Sequence, residues 1–222
     1  MEGTSRRNFL KTVSTAAAVS SVQNSSASQA PSSETVARRR SLFAPSVEIK
    51  RLSENLFVLE DTCNVYLVRD CSRGLLIDLG SGRILDLLPQ LGITQIDWVL
   101  HTHHHRDQCQ GDFKAVERSI PIAVPAHEKH LFADAENFWR NRRVFHLYYV
   151  RNDFNTITEN IPVAAVLQDY GTFRWGSRDI FILPTPGHTL GSVTLLTEID
   201  GRRTAFTGSA PTAVSSERTN PA

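Results

Sequence analysis

Thiols, net charge and long apolar runs are all scarce in this 222-residue chain, and each scarcity excludes something. Its three cysteines are Cys63, Cys71 and Cys109. Cys63 and Cys71 flank the strand-like run 65–68, and an extended segment of that length spans about 26 Å at ~3.3 Å per residue, far beyond disulfide reach. No Gly or Pro lies between them to fold it back, so no structural disulfide is expected. The formal net charge is +1, from 24 basic and 23 acidic residues. Residues 1–30 hold Arg6, Arg7, Lys11 and Glu2, and without them 21 basic and 22 acidic residues remain. Such a balance points to neither nucleic acid nor an anionic membrane surface as a partner. The longest mildly apolar stretch of the N-terminus, 13–22, is rich in Ala and Ser and is too short to span a bilayer. The rest of the composition, 41% hydrophobic and 21% charged, is that of a globular domain long enough for one sizeable core.

The first 30 residues read as an address. Ser5-Arg6-Arg7-Asn8-Phe9-Leu10-Lys11 followed by an Ala/Ser-rich stretch resembles a twin-arginine signal. That resemblance implies export to the periplasm or beyond, with a cleavage site near Ala27 to Ala30. Residues 31–45 are mostly Ser, Ala, Pro and Arg with little to bury, including the basic run Arg38-Arg39-Arg40, and read as a disordered linker. The folded domain is expected over 46–208, with an irregular tail over 209–222.

Within that domain, short β-type runs are expected at 47–50, 56–59, 65–68 and 75–78, and at 96–100 and 120–124. Others are expected at 163–167, 173–175, 179–183, 193–196 and 203–206. Helical spacing covers 84–91, with Gly92 as a stop, and 127–143, where Leu131, Phe132, Ala135, Phe138 and Trp139 share one face. Residues 144–161 read as loop. Strands in antiparallel groups interrupted by helices predict an α/β sandwich, not a strict βαβ alternation.

The chemistry concentrates where the run Trp98-Val99-Leu100 ends, in His103-His104-His105-Arg106-Asp107-Gln108. If the extended geometry continues past Leu100, His103, His105 and Asp107 share parity and project to one point. Imidazole nitrogens and carboxylate oxygens suit borderline divalent ions such as zinc. A second cluster, Pro184-Thr185-Pro186-Gly187-His188-Thr189-Leu190-Gly191-Ser192, presents His188 from a turn stiffened by two prolines. His103, His105 and His188 together form a three-histidine set with a fourth position open for water.

These motifs, in order with Asp78 in Leu76-Ile77-Asp78-Leu79-Gly80 and with Ala205-Phe206-Thr207-Gly208, resemble those of the metallo-β-lactamase superfamily from about residue 50 to 208. The resemblance implies an αββα sandwich with a metal site at one edge. His103, His105 and His188 would hold a first metal and Asp107 a second. Asp78 would support the metal loops from behind. A metal-bound hydroxide would attack the substrate, with Asp107 orienting it or shuttling its proton.

The chain also departs from the family pattern. Gln108 stands where a second-metal histidine is usual, and an amide oxygen is a weaker, uncharged donor than imidazole. Ser209 stands where a bridging aspartate is usual, and a further histidine expected dozens of residues later lies beyond Ala222. The expectation is one zinc held firmly and a second weakly or not at all, with iron as another possible metal. Cys109 is a conceivable substitute ligand, although a small buried residue starting a helix is the better reading. His101 shares the motif's parity but lies inside the strand, which favours supporting or packing over ligation. His104 points away, and His127, His130 and His146 have no spacing partner. Arg140, Arg142 and Arg143 read as a solvated helix end. The polar tail predicts a product truncated or frameshifted near position 209, leaving the C-terminal part of the fold incomplete and one sheet face uncovered. Three functions follow from the resemblance. The first is a metal-dependent hydrolase of an ester, thioester, amide or lactam in a small-molecule substrate. The second is an impaired relative keeping only the first metal site, and the third is an iron-dependent oxidoreductase on the same fold.

Overall fold

Alternation of apolar side chains builds the first sheet of this computed structural model, which describes residues 48–141 and 156–208. Seven strands lie in the order β1 (Ile49–Arg51), β2 (Leu56–Glu60), β3 (Asn64–Asp70), β4 (Arg73–Ile77), β5 (Gln95–Leu100), β6 (Ile122–Pro125) and β7 (Ala165–Leu167). The first four pair antiparallel, whereas β4–β5, β5–β6 and β6–β7 pair parallel. The antiparallel grouping expected from sequence therefore holds for only half of this sheet. Crossover segments that carry helices allow the remaining strands to run in one direction. A second sheet follows in the order β11-β10-β9-β8, from β8 (Thr172–Trp175), β9 (Arg178–Pro184), β10 (Val193–Ile199) and β11 (Arg202–Thr207). Asp200 and Gly201 both have positive φ, 52° and 73°. That pair suits a tight turn whose twist matches the β10–β11 hairpin.

Neighbouring residues on a strand face opposite layers, and two cores result. Leu67, Leu76 and Val99 join one cluster with the helical residues Ile84, Leu85, Ala115, Phe132 and Ala135. Val68, Leu75, Ile77 and Leu100 join the other, with Trp175, Ile180, Ile182, Leu195 and Phe206 of the second sheet. Each such leucine or isoleucine stabilises the fold by about 1.5–3 kcal/mol through burial. The buried apolar helical residues all belong to the first cluster, so the described residues stack as helices, sheet, sheet. The sheets are pinned by buried Asp97, which accepts from Trp175 Nε1 at 2.7 Å, from Gln95 Nε2 at 2.8 Å and from Arg73 Nε at 2.8 Å. On the outer face of the second sheet, cross-strand neighbours Phe181, Leu196 and Ala205 form an incompletely covered strip, with Phe181 37% exposed.

Two expected helices are broken. The 84–91 segment is α1 (Ile84–Leu87) followed by a tighter 3-10 turn, Leu88–Leu91, where Pro89 removes an N–H. Gly92 stops it at φ 67°. The 127–143 segment is a 3-10 turn, Ala126–Glu128, then α4 (Lys129–Ala133) and α5 (Ala135–Asn141). Asp134 interrupts it with a backbone outside the helical region, at φ −135° and ψ 35°, and its carboxylate accepts from Asn137 Nδ2 at 3.0 Å. Between these lie α2 (Arg106–Cys109) and α3 (Asp112–Glu117). No helix among the described residues is long and apolar enough to cross a membrane. The leader, the linker, the tail from Ser209, His146, Arg142 and Arg143 lie outside the described residues.

Candidate metal centre

The centre forms where strands of both sheets end. β4 stops at Ile77, and Asp78 turns the chain with φ 55°, in the left-handed region. Its buried carboxylate accepts from the Thr102 N–H at 2.9 Å and the Thr102 hydroxyl at 2.8 Å, and it meets His101 Nδ1 at 3.3 Å. Asp78 thus fixes the segment leaving β5 from beneath. On its other side, fully buried His101 pairs through Nε2 with Asp112 at 2.9 Å and stacks on Phe132. Burial works against a charge on His101, yet Asp112 and Asp78 outweigh it and raise the imidazole to about 10. His101 thus sits between two carboxylates behind the cavity.

β5 ends at Leu100, and His105 is the residue before α2, with extended φ/ψ of −63°/142°. His103 and His105 are buried, at 1% and 4% exposure. His188 arrives from the β9–β10 connection and is exposed. One nitrogen from each of the three lies within 4.8 Å of the others, an arrangement able to hold a metal ion. The rings meet edge-on, with centroids 4.5–4.9 Å apart. His105 Nδ1 and His188 Nε2 are 2.8 Å apart. Two bare lone pairs at that distance repel unless a proton or a cation lies between them. His103 Nε2 and His105 Nε2 are buried with no hydrogen-bond partner. Burial, then its histidine neighbours, lowers His105 to about 3, and burial lowers His103 as well. Neutral imidazoles with unused nitrogens are the form that binds zinc, so these residues fit such an ion.

Asp107 and Gln108 are placed differently from the parity expectation. The extended geometry ends at His105, so Asp107 falls in the first turn of α2 and stays outside the histidine cluster. It is exposed and lines a cavity of about 400 Å³ with His105, Gln108, His188, Thr62 and Gly208. Gln108 is buried, and its side-chain amide lies 2.8 and 3.0 Å from the two Asp107 oxygens, a contact in which the amide turned with its nitrogen toward the carboxylate donates. The Gln108 carbonyl accepts from the Leu79 and Gly80 N–H groups, while the Thr62 hydroxyl donates to the Asp107 carbonyl at 2.7 Å. Cys109 turns its thiol onto the His104 and His105 carbonyls and is buried, which matches the packing reading over ligation. All three cysteines are free. His127 pairs with Asp169 at the surface, and His130 and Arg140 are exposed.

Some contributors carry no local signal in the sequence. Asp112 and Glu128 are buried carboxylates reached only through tertiary contacts. Gly208 packs so closely that a Cβ there would lie 2.3 Å from Thr102 Oγ1 and 2.6 Å from His103 Nδ1. Its place at the end of β11, opposite the histidine motif, is the one sequence cue to that contact.

A two-sheet sandwich with three convergent histidines at one edge defines a class of metal-site proteins. The Metallo-beta-lactamase superfamily model matches residues 58–221. The chain belongs to that superfamily. No curated protein matches it in sequence. Among solved structures it is similar to the subclass B3 metallo-beta-lactamase BJP-1 of Bradyrhizobium japonicum, with TM-score 0.59 and 18% identity over 74% of this chain and 63% of that one. FEZ-1 metallo-beta-lactamase from Legionella gormanii gives TM-score 0.59 and 20% identity over 72% and 63%. A Cronobacter sakazakii metallo-beta-lactamase described by a HARLDQ motif gives 0.59 and 18% over 72% and 64%. That motif ends in Asp-Gln, as His103 to Gln108 does here. The chain spans just under two thirds of each of these relatives, and the likeness is one of fold.

Proposed function

We propose that this protein is a metal-dependent hydrolase acting on a carbonyl of a small molecule, an ester, thioester, amide or lactam. The observation that carries the reading is the convergence of three imidazoles, two of them with buried unpartnered nitrogens, beside a polar cavity that His105 and His188 line. A zinc ion bound there supplies Lewis acidity and brings the pKa of a water molecule to about 7. Asp107 presents its carboxylate to the same cavity, where it orients water and accepts a proton. Its position is fixed twice, at the carbonyl by Thr62 and at the carboxylate by Gln108. Thr102 supports His103 through the Oγ1–Nδ1 contact of 3.0 Å, which leaves Nε2 without a hydrogen-bond partner and available to a metal.

The Gln108–Asp107 pairing also supports one tightly held metal. A carboxylate whose two oxygens share an amide nitrogen has less capacity left for a second cation, and Gln108 offers that cation no imidazole. The leader Ser5 to Lys11 supports export by the twin-arginine route. The purified protein, assayed for metal per chain and then on an ester, thioester and β-lactam panel with and without zinc, tests the reading. The expected outcome is one tightly held equivalent and hydrolysis that depends on it. Two tightly held equivalents overturn the single-metal part, and no metal-dependent hydrolysis of any substrate overturns the whole. Iron content with oxygen uptake on the same sample would point instead to the oxidoreductase.

A further inference from the structure

Two segments carrying candidate ligands meet at a side chain that the proposed reaction does not use. Glu128 ends the 3-10 turn after β6 and is 3% exposed. Its Oε1 accepts from the Gly191 N–H at 3.1 Å, three residues after His188. Its Oε2 lies 3.1 Å from Nδ1 of His104, the residue between His103 and His105, close enough to pair electrostatically though not aligned as a hydrogen bond. The packing on the far side is tight. A Cβ at Gly191 would stand 2.4 Å from Glu128 Cγ, so this backbone lies flush on the glutamate stem.

The segment around His188 has few other holds. Residues 185–188 are exposed, and Leu190 is 94% exposed. The bonds Thr185 N–H to Ser192 O, Gly187 N–H to Thr189 O, and Thr189 Oγ1 to Ser192 Oγ all close the turn on itself. They shape the turn without placing it. Besides the His105–His188 contact, the bonds that tie it to the first sheet's side include Gly191 N–H to Glu128 and Val193 N–H to the Thr102 carbonyl, and the Thr189 side chain also reaches the Glu128 carboxylate.

We propose that Glu128 is a positioning residue, a buried strap that sets the separation of His188 from His103 and His105 and thereby the metal affinity. The proposal rests on the metal-site reading above. A strap of this kind acts as the outer partners of metal ligands do, and loss of such a partner typically weakens metal binding about 10- to 100-fold.

The test compares Glu128→Met, which keeps volume and removes both acceptors, with Glu128→Gln, whose amide oxygen still accepts from Gly191. Zinc affinity is measured by chelator competition, and amide exchange over residues 187–192 on the metal-stripped full chain. Glu128→Met is expected to weaken zinc about 10- to 100-fold and to speed exchange at Gly191, with peptides from β2 to β4 unchanged. Glu128→Gln is expected to recover most of the affinity and the protection. A folded Glu128→Met protein with wild-type zinc affinity and wild-type exchange overturns the strap. If wild type itself takes up no zinc, the metal reading fails, and the exchange comparison still decides whether Glu128 holds the turn. If Glu128→Met does not fold, His104→Leu, which removes only the Oε2 contact, is read in the same two assays: unchanged affinity and exchange overturn the proposal.

Discussion

The segment bearing His103 and His105 and the segment bearing His188 contribute the same side chain to one centre, yet they are held in different ways. The first is buried and braced from below by Asp78, behind by the His101–Asp112 pair, and above by Gly208. The second is an exposed turn with its imidazole in solvent and a carboxylate tie at its far end. A rigid pair and a lightly tethered third imidazole make a centre whose floor is set by folding and whose closure, on the proposed reading, depends on the metal. Ligands held this way lose little entropy on one side and more on the other when an ion binds.

The largest expected effect strikes the rigid side. Asp78→Ala removes the acceptor for Thr102 N–H, Thr102 Oγ1 and His101 Nδ1, and takes away one of the two carboxylates that flank buried His101. A loss of about 3–5 kcal/mol is expected, read by denaturant unfolding of metal-stripped protein. A loss below about 1 kcal/mol, the size of one ordinary hydrogen bond, would mean that the first segment is not braced as described. Zinc itself comes next: free zinc at a hundred times Kd raises stability by about 2.7 kcal/mol. Chelation should lower the wild-type Tm accordingly. In His188→Ala that zinc-dependent increment should disappear, while the metal-free protein stays within about 0.5 kcal/mol of wild type because the imidazole is exposed. Equal damage to the metal-free protein from His188→Ala and His103→Ala would erase the contrast.

Gly208→Ala drives a methyl group into Thr102 and His103, and overpacking of this kind costs about 1–3 kcal/mol. Its thermal melt should fall, and its zinc affinity with it. The smallest effect lies far from the centre. Asp200 accepts from Ser53 Oγ at 2.6 Å, Asn55 N–H at 2.8 Å and Asn55 Nδ2 at 2.7 Å, linking the β10–β11 turn to the 53–55 turn. These bonds, Ser53 first, hold its carboxyl below the ordinary range. A depressed folded pKa means that the contribution is present above the unfolded value near ~3.9 and is lost as pH falls through the folded one. Asp200→Ala should therefore cost about 1 kcal/mol or less at neutral pH, and the difference should vanish in strong acid. Zinc affinity should not change.

Much of this contrast could be read from the sequence, and the failures have physical causes. The three histidines and Asp78 were legible because each sits at the end of a short apolar run, where a strand must stop and present its next residues. Asp107 was misplaced because parity holds only while the backbone stays extended, and α2 begins one residue after His105. Asp112 and Glu128 lie in helical surroundings that look like any polar helix face, and nothing local distinguishes a buried carboxylate from a solvated one. The β4–β5–β6–β7 parallel pairing was hidden for a similar reason: strand periodicity carries no information about direction.

The His105–His188 contact spans 83 residues of chain, and that separation fixes an order of events. Strands β1 to β7 supply the floor of the centre, and all precede residue 168. A chain emerging from its N-terminus can therefore set the histidine pair on Asp78 and the His101–Asp112 pair before His188 and the Gly208 brace have been made. Contacts so distant in sequence form late, since loop closure must come before they contribute. On the proposed reading, a metal ion needing all three imidazoles is therefore captured only after the second sheet has docked. Stable metal retention then reports that the described fold has closed from end to end.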